Sequence, residues 1–126
     1  MEYNSRLAFY SDNDNKPVLA LSVASAVTLP QRLRGLLGFP APPEGCALLI
    51  EHCGSVHTIG MKYPLDLIFL DKNRCVTRVV PNVPPNRPFI PGGWRAATVL
   101  EATSGWLPLA RLHPGMKAVI DSSVSQ

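Results

Sequence analysis

The chain has no long hydrophobic run, no clustered charge and no paired-cysteine motif, and each absence removes a class of protein. No apolar stretch approaches the roughly 18 residues of a bilayer span, so no membrane helix is expected. The N-terminus, MEYNSRLAFYSDND, lacks a charged-then-apolar signal segment and a small-residue cleavage site. The chain as given is therefore expected in the cytoplasm. Its three cysteines, Cys46, Cys53 and Cys75, are odd in number and show no C-x-x-C spacing. In that compartment they read as free thiols. The basic residues are scattered and the formal charge is only +3, whereas a nucleic-acid surface asks for a clustered basic stripe. Neither a nucleic-acid nor a membrane partner is expected. Histidine and cysteine show no standard ligand spacing, so no metal and no cofactor is expected.

What is present suits one globular domain. Apolar residues make up 46% and charged residues 17% of 126 positions, and a second domain would leave each too small to bury a useful core. The domain is expected over 1–126, with its core from about residue 7 to 120 and a frayed tail over 121–126. Thirteen prolines exclude long helices.

Strands are predicted at Leu7–Tyr10, Val18–Ala24, Cys46–Ile50, Leu65–Asp71, Cys75–Val80, Thr98–Ala102 and Lys117–Ile120. The segment Leu65–Asp71 is apolar on both faces, so both faces should be covered. Residues 71–73, DKN, make the tight turn that follows it.

Thr28, Pro30 and Gln31 form a capping-box helix start. That helix is predicted to run to Leu37 and stop at Gly38, with Leu29, Leu33, Leu36 and Leu37 as its apolar face and Arg32 opposite. A second short helix is predicted from Ser104 to Leu112. Pro81–Arg95 holds five prolines and reads as a long irregular loop of the kind that often forms a lid. Most connections are too short for crossover helices. The fold class is therefore mainly β (α+β), a single antiparallel β-sandwich or partly closed barrel with one or two short helices.

The segments RLRGLLG, CALLI, SVHTIGMKYPLDLIFLD, VVPNVPPNR, VLEATSG and LHPGMKAVI follow one another as in the domain-of-unknown-function 192 family, and from about Val18 to Ile120 the chain resembles that family. The most specific element is T-x-x-M-x-x-P-L-D-x-x-F, matched by Thr58, Met61, Pro64, Leu65, Asp66 and Phe69. The resemblance implies a compact, mainly β, sandwich-like domain with a short helix, and it imports no established activity. Many members carry an export signal or lipoprotein anchor, which the sequence as given does not show. The family usually has Gly-Asp near its end, where this chain has Gly115-Met116.

Reactive side chains concentrate in His52–Asp71. Cys53, His57 and Asp66 are the catalytic candidates. Cys53 and His57 would serve as nucleophile and base, but four extended positions at about 3.3 Å put them roughly 13 Å apart, so a dyad requires a turn at Gly54. A metal reading from His52, Cys53 and His57 needs an irregular backbone, because adjacent strand residues point to opposite faces. Asp66 opens the most apolar strand and must be satisfied there. It either ties the preceding turn to the strand or edges a pocket.

Glu101 is expected on an exposed strand face. Trp106 is expected in the core, and Trp94 on the proline-rich loop caps a pocket or covers the sheet edge. The leading expectation is a binding or accessory module for a small molecule or peptide, with a pocket between the 52–66 segment and the 81–95 loop. His57, Thr58, Met61, Asp66, Arg87 and Trp94 would line it. The alternatives are a cysteine-dependent hydrolase or thiol-transfer enzyme, and a structural interaction module without a pocket. Oligomeric state is left open.

Overall fold

The computed structural model describes residues 1–12 and 14–121. Apolar runs bounded by turn residues become nine strands among them: β1 (Ser5–Tyr10), β2 (Leu19–Ala26), β3 (Cys46–Ile50), β4 (Ser55–Val56), β5 (Leu65–Leu70), β6 (Val76–Val83), β7 (Ile90–Pro91), β8 (Thr98–Thr103) and β9 (Lys117–Asp121). Seven form one sheet in the order β6-β5-β8-β3-β2-β1-β9, and β4 pairs with β7 in a small ribbon. All pairings are antiparallel except β2 with β3. That parallel pair needs a crossover, and the crossover carries the one α-helix among the described residues, α1 (Leu29–Arg34).

The mainly β class expected from the sequence is what forms. The sheet curls until its two edges touch at one corner. There Cys75 bridges Lys117, and the Ala118 N–H donates to the Arg74 carbonyl at 2.8 Å. The sheet does not close into a barrel. No helix among the described residues is long and apolar enough to cross a membrane. Of the expected tail, Asp121 belongs to β9 and 122–126 lie outside the described residues.

Strand alternation sends side chains to two cores, one on each face. Phe9, Leu21, Leu49, Ile68 and Leu100 fill the first. Leu48, Ile50, Leu67, Phe69 and Val99 fill the second. Each such side chain contributes about 1.5–3 kcal/mol on burial. All six residues of β5 are buried, as its two-sided apolar pattern requires.

Four local expectations are corrected. First, Pro81–Arg95 is not wholly irregular, since β6 continues through Pro81 to Val83 and β7 pairs with β4. Proline is tolerated because β6 is an edge strand, and a register shift opposite Leu65 and Leu67 marks a bulge there. Second, the helix expected over Ser104–Leu112 reduces to a 3₁₀ turn, Leu109–Arg111. Ser104 does not cap it, because its hydroxyl donates to Asp66 at 3.1 Å.

Third, α1 stops at Arg34 rather than Leu37. The capping box forms as expected, with the Gln31 N–H donating to Thr28 Oγ1 at 3.3 Å and Gln31 Oε1 accepting from the Thr28 N–H at 3.1 Å. Gly35, at φ 55°, then turns the chain. Ending there sends Leu36 alone into the core at 1% exposure, while Leu29 and Leu33 stay 58% and 71% exposed. Of the predicted apolar face, Leu29 and Leu33 thus look outward and only Leu36 is buried. Fourth, Glu101 is not exposed, with only 4% of its surface reaching solvent. β8 lies between β5 and β3 at the sheet centre, and both of its faces are covered. Trp106 packs against the first core, partly buried.

Candidate functional site

Residues 57–61 are fastened to the proline-rich loop by one buried side chain. Thr58 is fully buried and uses every polar group it has. Its N–H donates to the Arg87 carbonyl at 2.8 Å, and its carbonyl accepts from the Asn86 N–H at 2.8 Å. Its hydroxyl donates to the Pro84 carbonyl at 2.7 Å and accepts from the Arg87 N–H at 2.9 Å. Asn86 Oδ1 adds a bond from the Gly60 N–H at 3.0 Å. This clasp occupies the space where a pocket between the 52–66 and 81–95 segments was expected.

Several surface cavities of about 350–500 Å³ are present, and the one that gathers Cys53, His57 and Met61 lies on the other side of the 52–61 segment, facing α1. Its volume is about 350 Å³ and it is open at one side. Leu29, Leu33 and Leu37 rim it from the helix side, and Val56, His57 and Met61 form the opposite wall. Ile50, Cys53 and Glu101 lie deeper. Glu101 is held there by register: opposite Leu48 and Leu67, it shares a face with Val99. A β-carbon added to Gly35 would stand 3.3 Å from Glu101 Oε1. The glycine at the end of α1 therefore lets the turn close over the carboxyl group.

Burial pushes the Glu101 carboxyl up to about 7, opposed only in part by a hydrogen bond from the Leu36 N–H. Among the described residues no cation pairs with it. Cys53 is half-buried, and its thiol donates to the Ser55 carbonyl at 3.0 Å. Burial raises the thiol above its ordinary value; the backbone hydrogen bond at Ser55 and the Arg32 charge oppose the rise, and the Glu101 charge adds to it. Arg32 donates through Nη1 to the His52 carbonyl at 3.3 Å, and its Nε is buried without a hydrogen-bond partner. Arg34 is committed elsewhere. Its Nε donates to the Leu37 carbonyl at 2.9 Å and its guanidinium lies 4.2 Å from the Phe39 ring centre.

The residues singled out from sequence thus separate. Cys53, His57 and Met61 share the cavity. His57 is exposed, and its Nδ1 accepts from the Ile59 N–H at 3.2 Å. Among the described residues no hydrogen bond joins Cys53 to an imidazole. Gly54 does not fold the two together. Its carbonyl accepts from the Gly92 N–H at 2.9 Å, and an added β-carbon would meet the Ala96 carbonyl oxygen at 2.9 Å. It is a close-approach glycine.

Asp66 points to the face of Ile68 and Leu70, away from Glu101. Its Oδ1 accepts from the Asn82 N–H at 2.7 Å and the Ser104 hydroxyl at 3.1 Å, and its Oδ2 is buried without a partner. Asp66 holds the bulge of β6 in place. Arg87 is exposed along a separate groove with Phe89. Trp94 is 88% exposed, with Arg95 stacked 4.6 Å from its ring centre. No three of His, Cys, Asp and Glu cluster as metal ligands among the described residues.

Glu101 and Arg32 are the cavity residues not foreseen. A signal for Glu101 was present: VLEA is apolar at both strand parities around one carboxylate, the same pattern that marked Asp66.

The chain belongs to the domain-of-unknown-function 192 family, described as "Uncharacterized ACR", which matches residues 10–120. Two solved structures are similar. One is a protein of unknown function from Novosphingobium aromaticivorans, 18% identical, with a TM-score of 0.77 over 90% of this chain and 83% of that one. The other is a proposed transcription regulator from Sinorhizobium meliloti, 20% identical, with a TM-score of 0.77 over 94% of this chain and 95% of that one. At these identities the likeness shows the fold alone. No curated protein matches the chain.

Proposed function

For this member of the family we propose a binding module whose pocket lies between α1 and the 52–61 segment and receives an apolar group of a small molecule or peptide. One observation carries this reading. Leu29, Leu33 and Leu37 are 58%, 71% and 37% exposed around the mouth of a cavity of about 350 Å³. A helix that buries none of its own residues gains nothing for the fold from Leu29 and Leu33, and Leu37, beyond the helix end, extends the same exposed patch. Grouped apolar exposure at a concave site is characteristic of an interaction surface. The volume suits a side chain or a short dipeptide-sized body.

Nuclear magnetic resonance titration with small apolar probes tests it. Amide shifts should map to Leu33, Leu36, Cys53, Met61 and Glu101, and Met61→Trp, which fills the cavity, should abolish them. Shifts confined to the Trp94 and Phe89 region, or none at millimolar probe, would remove the reading.

A second reading, cysteine chemistry, is favoured by the placement of Cys53 and His57 in the same cavity. Against it, burial pushes the thiol above its ordinary value, so it is a poor nucleophile at neutral pH. Alkylation of Cys53 at pH 7 faster than that of a free thiol would reverse this ranking.

A further inference from the structure

We infer that the cavity recognises an ammonium group beside a carbonyl or carboxylate oxygen on an apolar body, the chemistry shared by a free apolar amino acid and the amino terminus of a peptide. The inference rests on the pocket reading above and assigns the ligand its polar end. Two polar groups in the lining are incompletely partnered for their burial: Arg32 Nε has no acceptor, and the Glu101 carboxyl has one backbone donor, the Leu36 N–H. Glu101 is 4% exposed, lines the cavity and has no cation paired with it among the described residues. Arg32 presents a buried Nε without an acceptor. Both line the same cavity, together with Cys53.

An ammonium group supplies the charge and the donors that the Glu101 carboxylate lacks. An oxygen three bonds from that nitrogen supplies the acceptor that Arg32 Nε lacks. The leucine rim and Met61 then cover the apolar side chain. A fatty acid would set a carboxylate against Glu101, and a simple alkylamine would leave Arg32 unanswered. The charged and titratable side chains facing this region are Arg32, Arg34, His52, Cys53 and His57, together with Tyr63, whose hydroxyl is pushed up chiefly by burial and partly by the Glu101 charge.

The test is calorimetric and resonance titration of the full chain with four probes: leucyl-leucine, N-acetyl-leucyl-leucine, free leucine and 4-methylpentylamine. Leucyl-leucine should bind, and acetylation should weaken it by about tenfold or more, the loss expected for one charge-assisted hydrogen bond. Glu101→Gln should erase that difference between the free and acetylated peptides. Arg32→Met should weaken leucyl-leucine and leave the amine unchanged. Binding of free leucine as tight as the dipeptide assigns the amino acid as the source, and binding of the dipeptide alone assigns a peptide terminus.

Equal affinity for acetylated and free dipeptide, with shifts still at the cavity, overturns the ammonium inference and leaves the apolar pocket standing. Failure of all four probes overturns both. Should Glu101→Gln not fold, the acetylation difference on the unaltered chain decides the matter.

Discussion

Asp66 and Glu101 sit on neighbouring strands of one sheet, both almost without solvent contact, and face opposite sides. Asp66 is enclosed by the groups it organises, the Asn82 N–H at the β6 bulge and the Ser104 hydroxyl. Glu101 faces a cavity and receives one backbone donor. The same residue class at similar depth therefore does two jobs. On one face a carboxylate replaces missing strand hydrogen bonds and fixes the chain. On the other it lines a cavity beneath the Gly35 turn, with the Leu36 N–H as its donor and no cation paired with it among the described residues, which costs stability.

The largest expected effect breaks the comparison if it fails. Asp66→Ala removes two hydrogen bonds to the carboxyl group and strands an N–H and a hydroxyl, offset in part by removing the unpartnered Oδ2, so it should lower unfolding stability by about 3 kcal/mol in denaturant melts at pH 7. A loss smaller than that of Glu101→Gln would show that the two carboxylates were assigned the wrong way round.

The next concerns pH. The Glu101 folded value, about 7, lies above its ordinary 4.5. Between those values the folded state holds the proton that the unfolded state has released, so the Glu101 contribution to stability falls as pH rises from 4.5 to 7 and stays low above it. The swing is about 3 kcal/mol. Glu101→Gln should match the parent chain near pH 4.5 and exceed its stability at pH 8, with the histidines cancelling in the difference. A pH-independent difference between the two chains would mean that Glu101 is not held protonated by burial.

Thr58→Val keeps the shape of the clasp and deletes its hydroxyl. The Pro84 carbonyl and Arg87 N–H each lose a partner, and a cost of about 2 kcal/mol is expected in the same melts. Binding at the α1 cavity should persist, which sharpens the distinction between the fastened side of the 52–61 segment and its open side.

The smallest effect is at the far end of β3. Arg74 forks onto Glu51 at 2.7 and 2.8 Å, and each partner is about one quarter to one third exposed. The hydrogen bond from Arg74 holds Glu51 below its ordinary value, so the pair stabilises above pH 4.5 and is lost as pH falls through the lowered value. After allowance for solvent screening, Arg74→Met should cost about 1 kcal/mol or less at pH 7, and nothing in strong acid.

The pattern of recognisable and unrecognisable features has a physical basis. The capping box at Thr28 and Gln31, the DKN turn and the buried β5 were legible because each depends on residues within a few positions of one another. At the DKN turn, for instance, Asp71 Oδ1 accepts from the Asn73 N–H at 2.8 Å. The orientation of α1 was not legible. Leu29, Leu33 and Leu37 repeat at helical spacing, which matches a core-facing helix, and only the arrest at Gly35 decides that they look outward. The Thr58 clasp joins positions up to 29 apart, a distance over which spacing carries no signal.

Local chemistry in the sequence by itself determined the β-rich class, the start of the helix, the turn after β5 and the need for a buried Asp66 to find donors. Each follows from backbone preference or from the cost of an unsatisfied charge, and neither requires knowing what lies across the sheet. Tertiary structure alone decided which side of the 52–61 segment is closed and which is open. It also decided that Glu101 sits deep in the opening. Both outcomes are set by strand order, which places β8 at the sheet centre, and by the crossover that lays α1 over it.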